Sequence, residues 1–100
     1  MPFTRFALVM LLLATGFDAR AADSRGEALA DACTSCHGIE GRSRGYIPSL
    51  DKLSRAQFVR AMEDFQAQKR AATIMNRIAR AYSKEDIALL ADYFTSGSVR

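Results

Sequence analysis

Five consecutive residues constrain this chain more than any other feature: Cys33-Thr34-Ser35-Cys36-His37. They hold both cysteines and the one histidine of a 100-residue sequence. Cys-x-x-Cys followed at once by His is the pattern for covalent attachment of a c-type haem. Each thiol adds across one porphyrin vinyl group, and the spacer places the sulfurs at neighbouring pyrrole edges. The adjacent imidazole then lies under the ring, where it binds iron as the proximal ligand. Two other chemistries use the same spacing. A thioredoxin-like dithiol wants a βαβ context, and the sequence has no strand-like alternating run to build one. A zinc site wants two further ligands, and no other Cys or His exists. Cys33 and Cys36 are therefore the candidate thioether positions, and His37 is the candidate axial ligand.

The first 21 residues read as a cleaved export signal. Arg5 supplies a positive start, Phe6 to Ala14 is an unbroken apolar run, and Ala19-Arg20-Ala21 is a small-x-small site with cleavage before Ala22. The run is well short of the ~20 residues that span a bilayer, so no membrane span is expected after cleavage. The expected location is the periplasm. Residues 22–100 then form the functional domain, with 12 basic and 10 acidic residues once Arg5, Arg20 and Asp18 are removed. That balance leaves no basic stripe for nucleic acid. The haem propionates would offset the small positive excess, so no strong steering partner is implied. A domain this short buries only a marginal core and commonly needs a disulfide, a metal or a cofactor to hold it.

Periodicity makes the remainder all-α. Leu29, Ala32 and Cys33 recur at helical spacing from Ser24 to Cys33, predicting a short helix that leads into the cysteine motif. Gly38, Gly41 and Gly45, interleaved with Arg42, Ser43 and Arg44, predict an irregular loop, and Pro48 an extended stretch. Ser54 is the expected N-cap of a helix over 55–68, with Phe58, Val59, Met62 and Phe65 inward and Arg60, Glu63 and Asp64 outward. Lys69-Arg70 suits the negative end of that helix. A second short helix is expected over 76–81, with Ile78 inward. Ser83 and Asp86 form a capping box that opens the last helix. Ile87, Leu90, Ala91 and Phe94 are its buried stripe, and Ser96-Gly97-Ser98 is its stop.

A low-spin electron-transfer haem wants a sixth ligand, usually Met or His. With no second His, the domain offers Met62 and Met75. Met62 lies in the apolar stripe between Phe58 and Phe65, where a Met is usually packing. Met75 lies beyond the charged break at Lys69-Arg70, in a segment free to cross the haem, and is the favoured ligand. An open or Lys-ligated iron is the alternative. A soft, neutral sulfur and an apolar pocket both favour the reduced iron; Ile47, Leu50, Phe58, Val59, Met62, Ile74 and Ile78 are candidates for the wall. The segment rigidified by Pro48 is positioned to offer a carbonyl to the other ring nitrogen of His37. A plain turn proline is the alternative.

The order Cys33-x-x-Cys36-His37-Gly38, Gly41, Ile47-Pro48-x-Leu50, Met75 and Leu90-Ala91-x-Tyr93-Phe94 resembles the class I cytochromes c across essentially the whole exported domain. Phe58-Val59-x-x-Met62-x-x-Phe65 and the run from Ala72 to Ser83 carry a narrower likeness, to the cytochrome subunit of flavocytochrome c sulfide dehydrogenase. The resemblance implies one haem c held by Cys33 and Cys36, with His37 and Met75 axial, in the small class I cytochrome c fold. It also implies a first helix packed across the last near Leu29 and Tyr93. In that family the haem subunit accepts electrons from a sulfide-oxidising flavoprotein and passes them to a soluble redox acceptor. FAD would belong to the partner only, and the chain carries one attachment motif where two-haem members carry two. A stand-alone carrier is the alternative within the class. A haem-based sensor or peroxidase-like enzyme is a remoter one, since it usually wants a distal His that the sequence lacks. No catalytic residue of its own is expected.

Overall fold

The computed structural model describes the backbone of residues 2–95, with side chains from Arg20 onward. The side chains of the expected export signal before Arg20, and the Ser96-Gly97-Ser98 stop, lie outside the described residues. Within the described residues the fold is all-α, as expected, and contains no strand.

Helix α1 spans Pro2–His37. It therefore extends beyond the expected 24–33 segment in both directions and absorbs the whole cysteine motif. Within the motif, the short polar side chains turn back onto the carbonyls of their own helix. The Thr34 hydroxyl donates to the Asp31 carbonyl at 2.8 Å, and Ser35 to Ala32 at 3.4 Å. The helix stops at Gly38, whose φ of 90° and ψ of 163° are open essentially to glycine alone. A Cβ there would also collide with the Arg42 carbonyl oxygen.

The chain then makes a 3-10 turn over Ile39–Gly41 and folds back on itself. The Gly41 carbonyl accepts from the Leu50 amide at 2.7 Å, and a Cβ on Gly41 would stand 2.8 Å from the Phe94 ring. Helix α2, Arg55–Gln66, opens with a full capping box: Ser54 accepts from the Gln57 amide at 3.1 Å, and the Gln57 side chain accepts from the Ser54 amide at 2.9 Å. It ends short of the predicted Gln68 because Gln68 itself turns left-handed, with φ 56°. The Lys69 amide then reaches back to the Asp64 carbonyl at 2.8 Å, and the Gln68 amide to Phe65 at 3.2 Å, the bonding of a Schellman-type stop. Arg70 follows, 3.7 Å from the Asp64 carboxylate and over the Phe65 ring.

The segment predicted as one short helix is a single turn, α3, Met75–Ile78, tightening into a 3-10 turn over Ala79–Ala81. The expectation that Ile78 points inward fails. Ile78 is 38% exposed, and Ala79 is the buried residue instead. The change from 3.6 to about three residues per turn moves the inward position along by one. Helix α4, Lys84–Thr95, starts at the predicted capping box and buries the predicted Ile87, Leu90, Ala91 and Phe94.

The core sits where α4 meets α1 and α2. Phe94 stacks on Phe58 with ring centroids 5.9 Å apart and takes the edge of Tyr93 at 5.1 Å. α1 crosses α4 where Gly26 meets Leu89: a Cβ on Gly26 would lie 3.3 Å from the Leu89 carbonyl oxygen. Leu29 and Tyr93 pack against the core beside this crossing, and Arg25 pairs with Asp86 at 2.6 Å. Among the described residues, no helix is long and apolar enough to cross a membrane.

Candidate functional site

Because α1 runs through His37, helical geometry places Cys33, Cys36 and His37 together. Residues three and four apart share a helix face, so the two thiols and the imidazole lie along one side of its last turn. Cys33 is half-buried against the core and Cys36 is exposed; both are free thiols, with no disulfide between them. Burial pushes the Cys33 thiol up from its ordinary range. Redox-active dithiols work the other way, by stabilising a thiolate, so this environment does not suit thioredoxin-like chemistry.

His37 is fixed by one contact. Its Nδ1 lies 2.6 Å from the Pro48 carbonyl oxygen, across a loop closed by Gly41 and Leu50. A carbonyl can only accept, so Nδ1 carries a proton in this contact, and Nε2 is the ring nitrogen left outside it. The segment rigidified by Pro48 does offer a carbonyl to the imidazole, and the structure identifies it as that of Pro48 itself. The plain turn-proline alternative leaves this contact unexplained.

The two methionines separate as their contexts suggest. Met62 is 6% exposed within the core, flanked by buried Phe58 and Ala61. Met75 is half-buried at the first position of α3 and packs against the same core cluster as Cys33 and Tyr82. Burial first, and then the charges of Cys33 and Asp86, push the Tyr82 phenol up from its ordinary range. Of the expected pocket wall, Phe58 and Met62 are core, Leu50 and Val59 pack against it, and Ile47, Ile74 and Ile78 are exposed.

The donor set fits a c-type haem: two free thiols, an imidazole held through Nδ1 with Nε2 outside that contact, and a half-buried thioether. The apolar surface fits as well. The large apolar side chains left exposed among the described residues are Ile39, Tyr46, Ile47, Ile74 and Ile78. They come from the two segments next to His37 and around Met75. A flat apolar ring held by the motif would have partners there. No group of three or more His, Cys, Asp or Glu able to hold a metal ion occurs among the described residues.

Three positions that shape the site escaped sequence reasoning. Gly26 sets the α1–α4 crossing. Gln66 ties α2 to the Met75 segment by donating to the Ala79 and Tyr82 carbonyls at 2.9 Å each. Arg42 spans the loop beside His37, 3.5 Å from Glu40 and 3.3 Å from Asp51. A polar residue in the last turn of an amphipathic helix gives no signal of such a contact. Only Gly26, a glycine inside a helical pattern, carried a cue.

Comparison with known proteins agrees with this chemistry. Residues 24–98 match the family described as cytochrome c. Over 72 residues, 72% of the chain, it is 42% identical to the cytochrome subunit of sulfide dehydrogenase from Chlorobaculum tepidum, of which it spans 66%. It is 33% identical over 69 residues to cytochrome c-553 of Helicobacter pylori, covering 67% of this chain and 72% of that one. It is also 32% identical over 92 residues to cytochrome c4 of Pseudomonas aeruginosa, covering 90% of this chain but 46% of that longer one.

Proposed function

The chain belongs to the cytochrome c family, and from that premise we propose that it is a periplasmic monohaem carrier of single electrons, serving as the cytochrome subunit of a sulfide-oxidising flavoenzyme. The observation that carries the electron-transfer reading is the 2.6 Å contact of His37 Nδ1 with the Pro48 carbonyl. It engages Nδ1 and leaves Nε2 as the nitrogen to bind iron, next to two thiols at the end of α1.

In this reading Cys33 and Cys36 form the two thioethers, His37 is the proximal ligand and Met75 the distal one. When bound, the haem supplies reversible one-electron chemistry at iron, and the polypeptide supplies binding, orientation and electrostatics. The Pro48 carbonyl raises the basicity of the imidazole and fixes its plane. The Met75 sulfur, soft and neutral, favours the reduced state, and so does apolar burial around it. The sequence carries no flavin fingerprint, and in this reading oxidation of sulfide belongs to the partner.

Two experiments test the two halves of this reading. The oxidised holoprotein is expected to show a weak near-infrared methionine–iron band that vanishes in Met75→Ala; a band that survives the substitution sinks the distal assignment. The partner is tested by purification from the native host. Co-elution with a flavoprotein, and loss of sulfide oxidation on deletion, are expected. A chain that always elutes free of flavin, and whose deletion leaves sulfide oxidation intact, is a stand-alone carrier instead.

A further inference from the structure

The geometry points to Gln66 as a positioning residue that latches the Met75 segment onto α2 and so sets how often Met75 leaves its ligand position; this rests on the proposed assignment of Met75 as distal ligand. Gln66 is the last residue of α2, and its Nε2 lies 2.9 Å from both the Ala79 and the Tyr82 carbonyl oxygens, 13 and 16 residues away in sequence. Both partners are acceptors, so only the NH2 end of the amide can serve them, and its orientation is not in question.

The segment it grips is bonded within itself. The Arg77 and Ile78 amides both donate to the Ile74 carbonyl, at 2.9 and 3.1 Å. The Arg80 Nε donates to the Asn76 carbonyl at 3.1 Å, and the Tyr82 amide to Ala79 at 3.2 Å. Residues 74–82 are thus closed on themselves, with Met75 near one end and the Gln66 contacts at the other. Apolar burial holds this unit through Ala79 and the partly buried Met75 and Tyr82 alone. Residues 67–74 are exposed throughout, α3 itself has no buried residue, and Ala79 is the one fully buried side chain of the stretch. A latch made of two part-buried hydrogen bonds is then a large share of what keeps the unit docked, and losing its donor strands the Tyr82 carbonyl.

Added imidazole binds only iron that Met75 has left, so its apparent affinity scales with the undocked fraction. The experiment titrates the oxidised holoprotein with imidazole and follows loss of the near-infrared methionine band. Gln66→Leu keeps the bulk and removes the donor; imidazole affinity is expected to rise about tenfold, with the band still present before titration. Gln66→Glu keeps the length but offers no donor at neutral pH, and the same direction is expected. Ser54→Ala loses the cap at the other end of α2 and serves as the control for general destabilisation, with affinity expected to stay within about twofold of wild type. Wild-type affinity in both Gln66 variants overturns the proposal, as does an equal rise in Ser54→Ala. If those results come with loss of the band in Met75→Ala, the latch alone falls. If Met75→Ala keeps its band, the ligand assignment falls with it.

Discussion

His37 depends on backbone at two points. The carbonyl of Pro48 sets its tautomer, and the turn that follows it exists because residue 38 has no side chain. At φ 90°, ψ 163°, any other residue pays about 1–3 kcal/mol in the backbone alone, before the collision of its Cβ with the Arg42 carbonyl. Gly38→Ala is therefore expected to lower holoprotein stability by about 3 kcal/mol, measured by denaturant unfolding. Gly45 is the internal comparison: a Cβ there meets nothing within 4 Å and its φ is ordinary. Gly45→Ala is expected to raise stability by roughly 0.4–1 kcal/mol through the unfolded state. Equal effects at the two positions would mean that the turn after the motif is looser than its geometry implies.

Among the elements, capping decides where helices begin and end. Asp86 accepts from the Ser83 amide at 3.0 Å while the Ser83 hydroxyl accepts from the Asp86 amide. The backbone hydrogen bond to Ser83 lowers the Asp86 pKa, burial opposes this, and the Ser83 hydroxyl and Arg25 add to the lowering. A depressed folded-state pKa contributes stability above the ordinary value of 3.8, and that stability is lost as pH falls through the folded value. The acid side of the thermal stability profile should therefore flatten in Asp86→Asn, which keeps the cap oxygen and loses the charge; an unchanged profile would remove Asp86 from that role. The stop of α2 argues the other way. Gln68 sits at the left-handed position that favours glycine, so Gln68→Gly is expected to stabilise by about 0.5–1 kcal/mol, read as a rise in the thermal midpoint. These two ends also mark what the sequence discloses. Ser83 and Asp86 are a local pattern, and so is Ser54 before an apolar stripe; each is legible because its partners are three residues away. Gln66 and Gln68 are not legible, since their roles arise from a distant carbonyl and from one dihedral angle. The inward position of Ile78 was misplaced for a similar reason: α3 is too short for a helical period to hold. The cysteine motif is legible in five consecutive residues, while the contacts of Gln66 with the Ala79 and Tyr82 carbonyls needed the fold.

For the molecule as a whole, the composition of the core matters more than its extent. Nine hydrophobic residues are buried among those described, and four of them are Ala30, Ala61, Ala79 and Ala91, which add little apolar area. The largest fully buried side chains are Phe94, Ile87 and Leu90, all on α4. A domain of this size is marginal on area alone, and ion pairs do not close the gap. Arg55–Asp92 and Arg25–Asp86 join helices but are largely exposed on at least one side, where such pairs contribute about 0–1 kcal/mol. On the proposed reading, a haem held by the thiols, the imidazole and the exposed isoleucines supplies the missing stabilisation. Binding only to the folded state would add its free energy directly to stability. The chain without haem, and Cys36→Ala with one attachment removed, are therefore expected to lose most of the helical circular-dichroism signal at room temperature and to melt without a cooperative transition. Cys36 is exposed, so its loss creates no cavity, and a collapse in that variant reports the lost attachment rather than damaged packing. A haem-free chain that keeps its helices and unfolds sharply would show that the α4-centred core suffices by itself.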